Sequence, residues 1–345
     1  MTLGVNIDEF YMQRAIDLAK LGFGQVSPNP MVGCVIVHGG KIIGEGWHEK
    51  YGEAHAEVNA INAVKDKSLL SQSTLYVNLE PCAHHGKTPP CADLIIEHKL
   101  KAVKIANVDT NPLVGGKGIE KLKHAGIEVE TGILDAQSRE LNKRFFTFLE
   151  KSRPYIILKW AQTADGYIAR KNYDSKWISG EESRKLVHKW RGEEDSIMVA
   201  THTAQYDNPR LDVRDWSGDN PVRVVIDKKL ELPGTLNLFD GSILTLCYNL
   251  KKDEVAENVE WIKVEEEDML KNIFKDLHSR DIQSIIIEGG AALHKNLIDA
   301  HLWDEARVFV SETVFGGGID AARLSLPHQE EIINEDKLLV YRNKK

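Results

Sequence analysis

His55-Ala56-Glu57, followed downstream by Pro81-Cys82-Ala83-His84-His85-Gly86-Lys87-Thr88-Pro89-Pro90-Cys91, decides how the first half of the chain is read. A catalytic zinc site uses three protein ligands and keeps one position open. His55, Cys82 and Cys91 supply that set. Two thiolates neutralise Zn²⁺, while a neutral imidazole leaves enough Lewis acidity to activate water near neutral pH. Both cysteines lie in polar, proline-rich sequence, which suits ligands better than core. Glu57 is not needed as a fourth ligand in an open site, so its carboxylate reads as the general acid/base. His84 and His85 either line the pocket or stand exposed, and Lys87 meets either a phosphate or solvent. His-x-Glu alone carries no weight. His328-Gln329-Glu330 repeats it with no cysteine after it, and reads as a solvated surface segment.

Outward from this stretch, the hydrophobic pattern alternates between helical and strand periods. Helices are expected at 8–21, 55–64, 90–98 (with Pro90 just inside the start), near 119–124 and at 136–150. Strands are expected at 31–37, 41–47, 74–79, 102–107 and 127–131. The charged run Glu150-Lys151-Ser152-Arg153-Pro154 marks a boundary near 152, giving domains 1–152 and 153–345. The pattern then restarts, with strands at 155–160, 196–200, 222–227, 242–248, 261–264, 284–288 and, closing it, 307–311. Helices fall at 181–191, 268–279 and 291–300. Both halves therefore read as α/β layers. Cys34 and Cys247 sit in apolar runs and read as buried strand residues.

The chain has 345 residues and a formal net charge of −8. Its length suggests two domains. The acidic balance disfavours a nucleic-acid partner. No apolar stretch is long enough for a membrane helix and no signal pattern opens the chain, so no membrane association and a cytoplasmic location are expected.

His-x-Glu followed by Pro-Cys-x-x-Cys is the signature of zinc deaminases; here eight residues separate the cysteines, not two. That longer loop, with Pro28-Asn29-Pro30-Met31-Val32-Gly33-Cys34, resembles the bifunctional riboflavin-biosynthesis family, a pyrimidine deaminase joined to a pyrimidine reductase. The resemblance continues through Lys159-Trp160-Ala161-Gln162-Thr163-Ala164-Asp165-Gly166, Ser175-Lys176-Trp177-Ile178-Ser179, Asp207-Asn208-Pro209-Arg210-Leu211-Asp212-Val213-Arg214 and Glu288-Gly289-Gly290. It implies a cytidine-deaminase-like α/β/α layered domain followed by a dihydrofolate-reductase-like α/β domain. It implies Asn29 against the substrate base. It implies a nicotinamide cofactor, NADPH, near Ala161, Trp177, Thr203, Asp207 and Gly290, Ala291, Ala292, Leu293, His294, Lys295 and Asn296. Substrate contacts are implied at Ser175, Arg191, Leu211, Arg214 and Glu288. Where the family often has a glycine-rich segment, this chain reads Val199-Ala200-Thr201-His202-Thr203, which adds bulk near the expected cofactor.

The reactions so implied are removal of the ring amine from 2,5-diamino-6-ribosylamino-pyrimidinone phosphate, then reduction of the ribosyl group to ribityl. A homo-oligomer, dimer or tetramer, is also expected. Two rivals compete with this reading. One is a zinc deaminase of another nucleobase or nucleoside with an unrelated C-terminal domain. The other is a zinc-stabilised binding module, whose metal would have four protein ligands.

Overall fold

The computed structural model describes residues 6–84, 89–111, 115–176 and 178–343. The chain divides into two compact units, Met1–Ser152 and Arg153–Lys345.

The first unit runs Ile7–Ala19 (α1), Gly33–His38 (β1), Lys41–Trp47 (β2), Ala56–Ala63 (α2), Thr74–Leu79 (β3), Cys91–Glu97 (α3), Ala102–Asn107 (β4), Lys117–His124 (α4), Glu128–Thr131 (β5), Asp135–Leu141 (α5) and Lys143–Lys151 (α6). Its sheet has the order β2-β1-β3-β4-β5. β1 is antiparallel to both neighbours, and β3, β4 and β5 are parallel. β1 shows why the strands read as unbroken apolar runs. Cys34 and Ile36 pack with Ala56, Ala60, Ala92 and Ile95 of α2 and α3, while Val35 and Val37 pack with Tyr11, Met12 and Ala15 of α1. A strand covered on both faces has no polar side to show.

The glycines of β2 set how closely α2 can lie. A Cβ on Gly46 would stand 2.4 Å from the backbone nitrogen of Ala60, and one on Gly44 the same 2.4 Å from the Ala60 carbonyl oxygen. The helix whose first turn carries Glu57 therefore rests directly on bare strand backbone.

The second unit comprises Tyr155–Gln162 (β6), Tyr167–Ala169 (β7), Glu181–Glu193 (α7), Ser196–Ala200 (β8), Thr201–Asp207 (α8), Val222–Ile226 (β9), Thr245–Asn249 (β10), Glu254–Ala256 (β11), Val259–Lys263 (β12), Met269–Ser279 (α9), Ser284–Ile287 (β13), Ala291–Asp299 (α10), Glu305–Val310 (β14), Ile319–Asp320 (β15), His328–Ile333 (β16) and Asp336–Arg342 (β17). Its large sheet has the order β11-β12-β10-β9-β8-β13-β6-β14-β17-β16. The stretch from β12 to β14 is parallel throughout. The chain steps outward from β8 to β12, then returns to insert β13 between β8 and β6. That reversal opens a crevice at the carboxyl ends of β6, β8 and β13, where open α/β sheets bind ligands.

Several expectations need correction. The single helix over 136–150 breaks at Asn142, whose backbone (φ −96°, ψ 25°) leaves the helical region. Its buried amide instead clasps Met31: the Met31 N–H donates to Oδ1 at 2.9 Å and Nδ2 donates to the Met31 carbonyl at 2.9 Å. Pro90 precedes α3 in extended backbone (φ −60°, ψ 132°) rather than opening it from inside. The strand pattern does not close at 311. β14 pairs antiparallel with β17, and β17 with β16. His328-Gln329-Glu330 is thus exposed, but as part of an edge strand rather than a loose segment. Cys34 and Cys247 are fully buried strand residues.

Gly46→Ala forces a Cβ into the backbone of α2. Such overpacking costs about 1–3 kcal/mol. A fall in Tm of several degrees is expected in a thermal melt; an unchanged melt would show that α2 has room to retreat.

Candidate active sites

The first site stands at the carboxyl end of β3. His55 directly precedes α2 with extended backbone (φ −74°, ψ 164°), Glu57 lies in the first turn of that helix, and Cys91 opens α3. Two positive helix ends thus meet one cluster of anionic groups. The ligand atoms of His55, Cys82 and Cys91 lie within 4.8 Å of one another. His55 Nδ1 is 3.6 Å from Cys82 Sγ and 3.3 Å from Cys91 Sγ. Tetrahedral Zn–N and Zn–S bonds of usual length would separate nitrogen and sulfur by about 3.6 Å. One imidazole and two sulfurs at this spacing fit zinc, with a fourth direction left for water.

Electrostatics around the triad are strongly coupled. The Cys82 sulfur is held low by the hydrogen bond from the Cys91 thiol and by His55, and the Cys91 N–H also donates to it at 3.2 Å. His55 is raised by its bond to Cys82. Glu57 is 3% exposed. Burial, with the Cys82 charge beside it, pushes its carboxyl up to about 7. A carboxyl titrating near neutrality can both accept and return a proton.

His55 and Cys82 of the triad line a cavity of about 310 Å³, together with Asn29, His48, Glu57, His84 and Asp109. His84 is therefore a pocket residue; His85 and Lys87 lie outside the described residues. Two groups at this site carry no plain mark in the sequence. Glu80, beside the Pro81-Cys82 pair, accepts the N–H groups of Asp109 at 3.2 Å, Gly116 at 2.9 Å, Gly118 at 2.9 Å and Ile119 at 3.2 Å. It ties the start of α4 to the cysteine loop. His48 is buried, and burial lowers its pKa. The position of Glu80 directly before the Pro81–Cys91 motif could have pointed to it, whereas nothing in the sequence marks His48.

The second site fills the crevice between β6, β8 and β13, a cavity of about 550 Å³. Ala161, Ser175, Thr203, Asp207, Arg191 and Arg214 border it, as do Glu288, Gly290, Ala291, Ala292 and His294. Gly289 is required for close approach: a Cβ there would stand 2.9 Å from Thr203 Oγ1. Bare backbone at Gly289-Gly290, leading into α10, suits a cofactor phosphate. The residues present therefore fit a nicotinamide dinucleotide.

Of the other expected residues, the structure gives the following placement. Leu211 and Leu293 are core residues, and Lys295 and Asn296 face outward from α10. Trp177 lies outside the described residues. His202 borders the cavity but is absorbed into a ring cluster, 5.9 Å from Tyr173 and 6.4 Å from Tyr206. Arg191 gives Nε and Nη2 to Glu288 at 2.8 and 2.9 Å. It borders the cavity as the partner of Glu288, not as a free cation. Lys159, a motif residue with no role apparent from the sequence, faces the same carboxylate, Nζ to Oε2 at 3.6 Å. Burial lowers the Lys159 pKa. Burial alone would raise Glu288, but Arg191 and Lys159 outweigh it and hold the carboxyl at about 2. His294 is buried, pushed down to about 4, and donates Nε2–H to the Ile287 carbonyl at 3.0 Å.

Residues 5–107 match the model of the cytidine and deoxycytidylate deaminase zinc-binding region, and residues 154–334 match the RibD C-terminal domain. The riboflavin biosynthesis protein RibD of Aquifex aeolicus is 40% identical over 337 residues, spanning 96% of this chain and 94% of that protein. The chain belongs to the bifunctional deaminase/reductase family of riboflavin biosynthesis. Its relative from Bacillus amyloliquefaciens is 42% identical, over 92% of this chain and 88% of that one. A crystal structure of the diaminohydroxyphosphoribosylaminopyrimidine deaminase/5-amino-6-(5-phosphoribosylamino)uracil reductase of Thermotoga maritima superimposes with a TM-score of 0.88 at 38% identity, covering 97% of this chain and 98% of that chain.

The chain is thus a two-activity enzyme, a hydrolytic deaminase with a His55/Cys82/Cys91 zinc triad and a reductase of the dihydrofolate-reductase-like fold. Both rivals fall: the C-terminal domain is the family's reductase, and among the described residues the cluster offers three ligands, not four. Among the described residues no helix is long and apolar enough to cross a membrane.

Glu288 supplies a test of the second site. Its folded-state pKa of about 2 lies below the ordinary 4.5. The stability it contributes is therefore complete above pH ~4.5 and disappears as pH falls through ~2. Glu288→Gln leaves Arg191 and Lys159 uncompensated, and should cost roughly 3–5 kcal/mol at neutral pH. Urea unfolding should show the gap between wild type and variant narrowing from pH 5 to pH 2; a constant gap would contradict the ion pair.

Proposed function

We propose that the first unit hydrolyses the ring amine of a diaminohydroxyphosphoribosylaminopyrimidine, and that the second reduces the ribosyl group of the resulting 5-amino-6-(5-phosphoribosylamino)uracil to ribityl with NADPH. The name of the Thermotoga protein carries the two substrates and the words deaminase and reductase; the ribityl product and NADPH come from the family resemblance. The observation carrying the first step is a buried Glu57 that shares one cavity with His55 and Cys82 of the three-ligand cluster. Zinc held by that triad supplies the Lewis acidity that makes water nucleophilic near neutral pH.

Glu57 takes one proton from the attacking water and gives it to the ring nitrogen; it then takes the second from the hydroxyl on the tetrahedral carbon and gives it to the amine, which leaves as ammonia as the C=O forms. Its pKa of about 7 suits both directions of transfer. Asn29, at the cavity wall, contacts the pyrimidine.

In the second unit Ala161, Thr203, Asp207 and the start of α10 receive the cofactor, with Trp177 added by family resemblance. Held there, NADPH would supply the hydride for the sugar carbon. The chain positions the sugar phosphate, using Ser175, Arg214 and the Glu288 face of the cavity, and shields it from water. Lys159 is a buried N–H donor on that face, able to hold a sugar oxygen. The active species is proposed to be a homo-oligomer of two or four chains, to be checked by light scattering.

Purified enzyme should carry about one zinc per chain, release ammonia from the family substrate and only then consume NADPH. Glu57→Gln should keep its zinc while ammonia release falls by about 10²–10⁴-fold. Deamination at a near-normal rate in that variant would rule out Glu57 as the proton carrier.

A further inference from the structure

His48 makes two hydrogen bonds with its ring, and together they determine which way a second residue points. Nδ1 lies 3.1 Å from the Ala54 carbonyl oxygen. A carbonyl oxygen can only accept, so Nδ1 carries the hydrogen. The other ring nitrogen, Nε2, has Asn29 Nδ2 against it at 3.1 Å, and an amide NH₂ can only donate, so Nε2 is the accepting lone pair. The reverse orientation of the amide would set oxygen against nitrogen lone pair. Asn and Gln amides owe their direction to such networks.

Both residues are held where this matters. His48 is 2% exposed and its N–H donates to Val32 O at 2.8 Å. Asn29 stands between Pro28 and Pro30, with its N–H bonded to Val26 O at 2.7 Å. Both border the cavity that His55 and Cys82 line. With its nitrogen committed to His48, Asn29 turns Oδ1 to the cavity as an acceptor.

We propose that His48 is a positioning residue that fixes the Asn29 amide with Oδ1 toward the substrate, so that the deaminase pocket selects a pyrimidine edge bearing an N–H donor. This rests on the deaminase reading of the cavity. An aminopyrimidine offers such an edge. A ring presenting a carbonyl there meets oxygen against oxygen, and is rejected. Because the amide cannot turn, the rejection does not relax.

A double-mutant cycle tests the relay. His48→Ala frees the amide, and should raise KM about tenfold, the worth of one hydrogen bond, with kcat within threefold and zinc content unchanged. Asn29→Ala should raise KM at least as much. The double variant should be no worse than Asn29→Ala within twofold, because His48 acts only through Asn29. His48→Gln, whose Oε1 can accept from Asn29 Nδ2, should recover most of the loss. Multiplying losses in the double variant, or loss of zinc and kcat in His48→Ala, would overturn the proposal. Independently of any turnover, ¹⁵N-labelled protein should show His48 as the Nδ1–H tautomer in two-bond ¹H–¹⁵N spectra. An Nε2–H tautomer would overturn it even in an active deaminase, whereas the Nδ1–H tautomer in a chain that releases no ammonia would fault the deaminase reading instead.

Discussion

Coverage of the central strands on both faces is the constraint on which the rest of this molecule depends. β1 in the first unit sends alternate residues into two separate cores, and β6 and β13 do the same in the second. Side chains inside such layers have no access to water or substrate. Chemistry is confined to the carboxyl ends of the strands, where helices begin and backbone N–H groups are free. Cys82, Glu80 and Glu288 all lie just past a strand end, and His55, Glu57 and Cys91 lie at helix starts.

That placement makes buried charge the recurring problem, and each unit solves it differently. In the first unit the anionic groups gather on helix N-termini and backbone N–H donors. Glu80 is held by four such donors, and the sulfurs are arranged for a cation. In the second unit Glu288 is satisfied by side chains, through the Arg191 fork and Lys159. The difference has chemical consequences. Glu57, buried beside the Cys82 sulfur, rises toward neutrality, where it can move protons. Glu288 is held far into its ionised form and acts as a fixed charge.

Much of this was legible in the residues. The alternation of apolar runs located most helices and strands, because burial on two faces writes itself as composition. The proline-flanked cysteines stood out because polar sequence has no structural use for thiols. Short or exposed elements were not legible. β11 is exposed along its length and carries no apolar pattern. α8 has only seven residues. The β16–β17 hairpin gains its order from pairing with β14, a contact remote in sequence. The break at Asn142 was hidden for the same reason, since its cause is Met31, more than a hundred residues earlier.

What the sequence determined by itself was the donor set: His55, Cys82 and Cys91 with Glu57 beside them, the α/β layering, and the glycines at 289 and 290. These follow from residue chemistry and local period. Only the tertiary structure decided where long-range partners direct each group. It joined Arg191 to Glu288, turned Leu211 and Leu293 into core, made Glu80 the anchor of a loop, and set His48 against Asn29. Hydrogen-bond direction and ion pairing depend on which atoms face each other, and facing is a property of the folded chain.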